Sequence, residues 1–143
     1  MTRPGEAPTP GLAHAFDMEV ERGKPVEVGQ LAIGGRRSHI PVIGGRFTGE
    51  GMTGRLVGGG ETLFARADGV TVVEAVYYIE SAAGWLARAF GNGYRTTDGD
   101  FIGTRMTLLF EADQDGPLAH LAASAFLAEQ LPGSPLVSIS RIV

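Results

Sequence analysis

From Leu12 onward the chain alternates. Leu12, His14, Phe16, Met18 and Val20 fall on one side, and Ala13, Ala15, Asp17, Glu19 and Glu21 on the other. A period of two over this length predicts a half-buried strand. RGKP (22–25) then turns the chain, and VEVGQLAIG continues as a weaker extended piece. In SHIPVIGGRF, Pro41 points to an edge or bulge and Gly44-Gly45 to a bend. MTGRLV, ETLFARAD and VTVVEAVYYIES follow, parted by glycine-bearing turns, and GWLARAF, DFIGTRMTLLFEAD and PLVSISRIV complete the series. Short strands at regular spacing with turn signals between them predict an all-β antiparallel barrel or sandwich. Glycine at 22 of 143 positions suits a sheet that bends tightly and closes.

Two stretches depart from this pattern. Met1 to Gly11, with three prolines, reads as a flexible lead-in, which leaves 12–143 as one β-domain. PLAHLAASAFLAEQLPG (117–133) has Leu118, Leu121 and Ala125 at helical spacing, with Pro117 at a plausible first helical position and Gly133 past the end. On local grounds it reads as a helix.

Composition narrows the function. With 43% hydrophobic and 20% charged residues the chain is globular, and its length suits one domain. A net charge of −4 gives no basic footprint for nucleic acid or an anionic membrane. No apolar run is long enough for a membrane span, and the N-terminus lacks the apolar stretch of a secretory signal. A cytoplasmic location is expected. The absence of cysteine removes disulfides, thiolate catalysis and Cys-ligated metals.

The motifs are mostly negative. Gly58-Gly59-Gly60 invites a phosphate-loop reading, but a phosphate loop continues with Gly-Lys-Ser/Thr, and here Glu61 would repel phosphate. No helical pattern follows, so a dinucleotide site is not expected either, and a connection between strands is the plainer reading. His14, His39 and His120 have no ligand spacing, and no metal site is expected. Ser124 and Ser138 lack a nucleophile elbow. Glu61, Glu74 and Glu80 could serve as general acid or base if they face a lumen. Glu74 interrupts the apolar run VTVVEAVYYI, so it either lines a cavity or reaches solvent.

The stretch HIPVIGGRFTGEGMTGRLVGGGETLFARADGVTVVEAVYYIESAAG resembles the signature of domain-of-unknown-function family 3237, as do the later TRMTLLFEAD and VSISRIV. The resemblance is specific at Ile40–Gly45 and Arg66–Gly69 and looser elsewhere. It implies a single closed antiparallel β-barrel of about eight strands with a central, largely apolar cavity, and it turns PLAHLAASAFLAEQ into a strand against its local propensity. The family's acids correspond to Glu61 and Glu74, its arginine to Val76 and its tyrosine to Tyr77, while Ala82 and Ala83 replace two further acids. Arg105 matches a retained arginine, and His120 to Ser124 replace a W-L-N-R-T stretch.

By that correspondence the lumen receives Val72, Glu74, Val76, Tyr78 and Glu80; Arg105, Thr107 and Leu109; His120, Ala122, Ser124 and Phe126; and also Phe16, Met18 and Trp85. The chain is similar to the β-barrel cyclases of bacterial tetronate polyether polyketide pathways. The resemblance implies a cofactor-independent cyclase that folds a hydrophobic polyene for [4+2], Diels–Alder type, ring formation. Glu74, Tyr78 or Arg105 would stabilise charge on a substrate carbonyl, and Phe16, Met18, Glu61, Val76, Trp85, Thr107, His120, Ala122 and Ser124 would bind the substrate. Two other readings stay open. One is a non-catalytic hydrophobic-ligand-binding barrel in the manner of lipocalins; the other is an acid–base isomerase or dehydratase using Glu61 and Glu74. The partner in each case is a hydrophobic small molecule. Apolar residues on both faces of VTVVEAVYYI suggest a covered outer wall, which a homodimer, a loop or the N-terminal arm would supply.

Overall fold

The computed structural model describes residues 5–143, so Met1 to Pro4 of the expected lead-in lie outside the described residues. Nine strands follow in order: β1 (Leu12–Arg22), β2 (Val26–Gln30), β3 (Arg36–Gly49), β4 (Met52–Ala65), β5 (Thr71–Ser81), β6 (Leu86–Thr96), β7 (Gly103–Ala112), β8 (Phe126–Gln130) and β9 (Leu136–Ile142). Neighbours are antiparallel in the order β1-β9-β8-β7-β6-β5-β4-β3-β2. β1 also pairs with β3, which closes eight strands into a barrel and leaves β2 as an extra strand. β3 is long enough to do both: its first residues, Arg36 to His39, pair with β2, and Val42 to Gly49 pair with β1. The expected closed antiparallel barrel is therefore the fold. Gly11 extends the closure, exchanging backbone hydrogen bonds of 2.9 Å with Val143 in both directions.

The glycine clusters act inside strands, not between them. Gly58-Gly59-Gly60 lies within β4, which corrects its reading as a connection. Leu56 stands opposite Ile79 but Gly58 stands opposite Tyr78, so Val57 is an inserted residue and the strand bulges. At Gly59, φ is +127° and a Cβ would lie 1.9 Å from the Val76 carbonyl oxygen, so no other residue fits. The bulge has a consequence for the face of the strand. Before it Leu56 is buried, and after it Glu61 and Leu63 are. In β3, Gly45 plays the same part, and Val42 and Phe47 both end up buried on either side of it.

The barrel interior is packed. Phe16 and Met18 from β1, Val73, Ala75, Tyr77 and Ile79 from β5, Met106, Leu108 and Phe110 from β7, and Phe126 and Ala128 from β8 form one buried cluster with β9's Val137 and Ile139. Residues 117–133 are neither wholly helix nor wholly strand. A short 3-10 helix, Ala119–Ala123, is followed by β8. Leu118 and Leu121 are buried, and their spacing of three matches the 3-10 repeat, so the pair plugs one end of the barrel. Among the described residues no helix is long and apolar enough to cross a membrane.

Candidate functional site

Along several strands the inward residues change character from one end of the barrel to the other. β1 presents Phe16, Met18, Val20 and then Arg22; β7, read backwards, presents Phe110, Leu108, Met106 and then Thr104; β8 presents Phe126, Ala128 and then Gln130. The plugged end is apolar, and the opposite mouth is polar.

At that mouth Arg22, the last residue of β1, reaches across to Glu61 of β4. Its Nε donates to Glu61 Oε1 at 2.5 Å and its Nη2 to Oε2 at 3.0 Å. Tyr77 of β5 donates its hydroxyl to Glu61 Oε2 at 2.5 Å. Arg22 Nη2 also donates to Gln130 Oε1 at 2.9 Å, and Gln130 Nε2 donates to the Ser134 carbonyl at 2.8 Å. The Glu61 side chain is 4% exposed and that of Arg22 is 26% exposed. A carboxylate buried this deeply is tolerable because the bidentate guanidinium and the phenol satisfy it.

The electrostatics follow from this packing. Burial, then the neighbouring Glu61 charge, hold the Tyr77 phenol well above the usual tyrosine range, with Arg22 opposing them. Hydrogen bonding to Glu61 raises Arg22 despite its desolvation. Arg22 therefore keeps its charge, and the network fixes its direction. Nη1 takes no part in these bonds.

Arg22 and Gln130 form one side of a pocket of about 460 Å³ at the mouth. Thr104 and Ser134 add hydroxyls, Ile102, Leu131 and Pro132 an apolar rim, and Arg95 a second guanidinium. Such a site can orient an apolar molecule by one or two of its oxygens. The inner lumen beneath it is filled by side chains.

Several expected lumen residues lie elsewhere. Glu74 is exposed and Tyr78 is 42% exposed, and with Val76 they line a shallow outer depression beside His39, Thr62 and Phe90. The inward face of β5 is Val73, Ala75, Tyr77 and Ile79. Arg105 and Thr107 also face outward. The Arg105 side chain is 51% exposed, donates to Glu129 at 2.7 Å and stacks over the Phe101 ring at 3.7 Å. The physical reason is common to both strands. Period two defines two sets of residues, and the set containing charges faces water because an unpaired buried charge is costly. Trp85 sits in the β5–β6 turn against Gly116, and His120 and Ala122 are exposed on the 3-10 helix, with Ser124 half-buried just beyond it. His120 shares a surface depression with His14 and Glu50, while Phe16 and Met18 are buried in the core. Of the expected substrate-binding set, Glu61 alone reaches the mouth network.

Arg22 and Gln130 escaped the sequence reading. Extending the alternation of β1 by one more step reaches Arg22, but RGKP carries the local signals of a turn. Gln130 ends a segment whose local pattern is helical.

With this geometry in place, comparison with known proteins identifies the family. Residues 10–105 match the sequence profile of the family described as proteins of unknown function, DUF3237. The chain belongs to that family. The matched span includes Arg22, Glu61, Tyr77 and Arg95. A UPF0311 protein of Clostridium acetobutylicum is 33% identical over 88 residues, 61% of this chain and 56% of its own length, so the match spans about half of that relative. A crystal structure of a protein of unknown function from the same organism superposes with a TM-score of 0.81 at 26% identity, covering 94% of this chain and all of the other. A structure described as an enzyme from Penicillium herquei superposes with a TM-score of 0.78 at 18% identity, covering 97% of this chain and 99% of the other, and shares the fold.

Proposed function

We propose that the barrel mouth binds a small, largely apolar molecule by an oxygen, and that the protein promotes its cyclisation without a cofactor. The single observation that carries this reading is Arg22, a charged group aimed by Glu61, Tyr77 and Gln130 onto the floor of a 460 Å³ pocket with an apolar rim. A guanidinium already oriented would stabilise charge developing on a substrate carbonyl with little reorganisation. Arg22 takes the part first given to Glu74, Tyr78 and Arg105. The finer form of the reading is a cyclase of polyketide biosynthesis carrying out a [4+2] closure on a folded polyene, in which the pocket supplies proximity and orientation. One neighbour of the same fold is described as an enzyme, which is consistent with catalysis here.

A non-catalytic binding barrel is the second reading, for which the packed lumen and the pocket at the mouth are enough. An acid–base isomerase is less well supported. Glu61 and Glu74 are on opposite faces of the barrel wall, and Glu61 already accepts three hydrogen bonds. The test is the rate of cyclisation of carbonyl-bearing polyenes with purified protein. The enzyme reading expects acceleration that Arg22→Met lowers by about 10²–10³-fold, the effect of losing one oriented donor. Saturable binding with cyclisation at the uncatalysed rate leaves the binding barrel.

A further inference from the structure

We infer that the molecule held at the mouth is an anion, a carboxylate on an apolar body, and that Arg95 is the residue that selects its charge; this rests on the reading of the mouth as a small-molecule site. Arg46, Arg55, Arg88 and Arg105 face outward, and each is ion-paired with the glutamate directly across the ladder: Glu19, Glu80, Glu111 and Glu129. Arg95, like Arg37 and Arg141, makes no ion pair among the described residues, but unlike those two it lines the mouth pocket; its cross-strand neighbours are Thr71 and Thr104. Its Nε donates to Thr104 Oγ1 at 3.3 Å, a long and neutral contact.

Charge around the pocket is one-sided. None of the residues lining it is acidic. Asp98 and Asp100 in the β6–β7 connection line an adjoining depression with Tyr94 and Arg105, which shares Thr96 with the pocket. Arg22 is largely neutralised by Glu61 beneath it, so it offers directed hydrogen bonding with little net charge. Arg95 supplies the uncompensated positive charge. The guanidinium of Arg22, held by Glu61 and Gln130, that of Arg95, with its one long contact to Thr104, and the hydroxyls of Thr104 and Ser134 line one pocket, a donor set that suits a carboxylate. Ile102 and Leu131 on the rim match an apolar body. A single net charge in the pocket favours a monoanion over a polyphosphate.

The probe is a graded series of phenylalkanoates and their primary amides, with binding followed by amide chemical shifts of Gly103, Thr104 and Gly133 in the full chain. Acids are expected to bind at least about tenfold more tightly than the matched amides, as a charge-assisted hydrogen bond implies. That preference should shrink with added salt, as for a solvent-screened charge. Arg95→Gln should abolish both the preference for acids over amides and its salt dependence. Equal binding of acids and amides, or a preference that survives Arg95→Gln, overturns the inference and leaves the mouth as a binding site. If no member of either series shifts these amides, the small-molecule reading itself is overturned.

Discussion

At one end of the barrel β1 contributes Phe16; at the other, along the same face, it contributes Arg22. The plugged end is held by aromatic rings packed edge to face, Phe16 to Phe47 at 6.0 Å, Phe16 to Phe110 at 6.1 Å and Phe110 to Phe126 at 5.1 Å, with Leu118 and Leu121 buried beside them. The mouth is held by one carboxylate that receives Arg22 and Tyr77. The first kind of stability scales with buried area and has little direction. The second depends on each partner being present, because removing one leaves a charge without compensation. Two ends built from the same strands should therefore fail differently.

The largest difference is expected from Glu61→Ala, which leaves Arg22 partly buried and Tyr77 without its acceptor and should cost about 3–5 kcal/mol of unfolding free energy. Phe16→Ala at the plugged end should cost a similar amount, about 3–5 kcal/mol, by opening a cavity. The two losses separate on rescue. Arg22→Met with Glu61→Leu removes both charges and should recover much of the loss, the remaining deficit of about 1–3 kcal/mol being the buried Tyr77 hydroxyl left without its acceptor. Denaturant titration measures all three variants; a double variant as unstable as Glu61→Ala would mean that shape, not charge, holds the mouth.

Tyr77→Phe is a smaller perturbation, about 1.5–3 kcal/mol at neutral pH for a hydrogen bond to a charged acceptor. Its pH dependence sharpens the comparison. The folded-state value of Tyr77 stands well above the ordinary 10.0, so its contribution is complete below that pH and is lost as pH rises through the folded value. Wild-type stability should fall more steeply than that of Tyr77→Phe above about pH 10. Parallel slopes would show that the phenol is not held neutral by its surroundings.

The smallest effect is expected on the outer wall. Glu74→Gln, Tyr78→Phe and Arg105→Gln should each change stability by less than about 0.5 kcal/mol, as exposed positions do, and leave ligand binding at the mouth unaltered. Loss of binding in any of them, measured by the same titration as for Arg22→Met, would move the site to the outer face.

Much of the barrel is legible in the sequence because alternation and glycine punctuation are local signals. The phase of β1 can be read directly from Phe16 and Met18 against Asp17 and Glu19. β5 was harder, with apolar residues in both sets, and the family correspondence placed the wrong set inside. Charge alone separates them: Val73, Ala75, Tyr77 and Ile79 carry none, whereas the other set carries Glu74 and Glu80. The direction of Glu61 was not legible from period two at all, because the bulge at Val57 resets the phase of β4 between Leu56 and Glu61. Nor was the meeting of Arg22, Glu61, Tyr77 and Gln130. That meeting depends on closure between β1 and β3, a pairing set by strand length and curvature rather than by any adjacent motif.

The proposed ligand site is the mouth beside Arg22 and not the outer wall around Glu74 and Tyr78. Photoaffinity labelling with a diazirine-bearing apolar carboxylate, mapped by mass spectrometry, tests it most directly. Labels are expected on Ile102 to Thr104 and Leu131 to Ser134, and should be lost in Arg22→Met with Arg95→Gln. Labels on Glu74, Tyr78 or Phe90, unaffected by those substitutions, would contradict it.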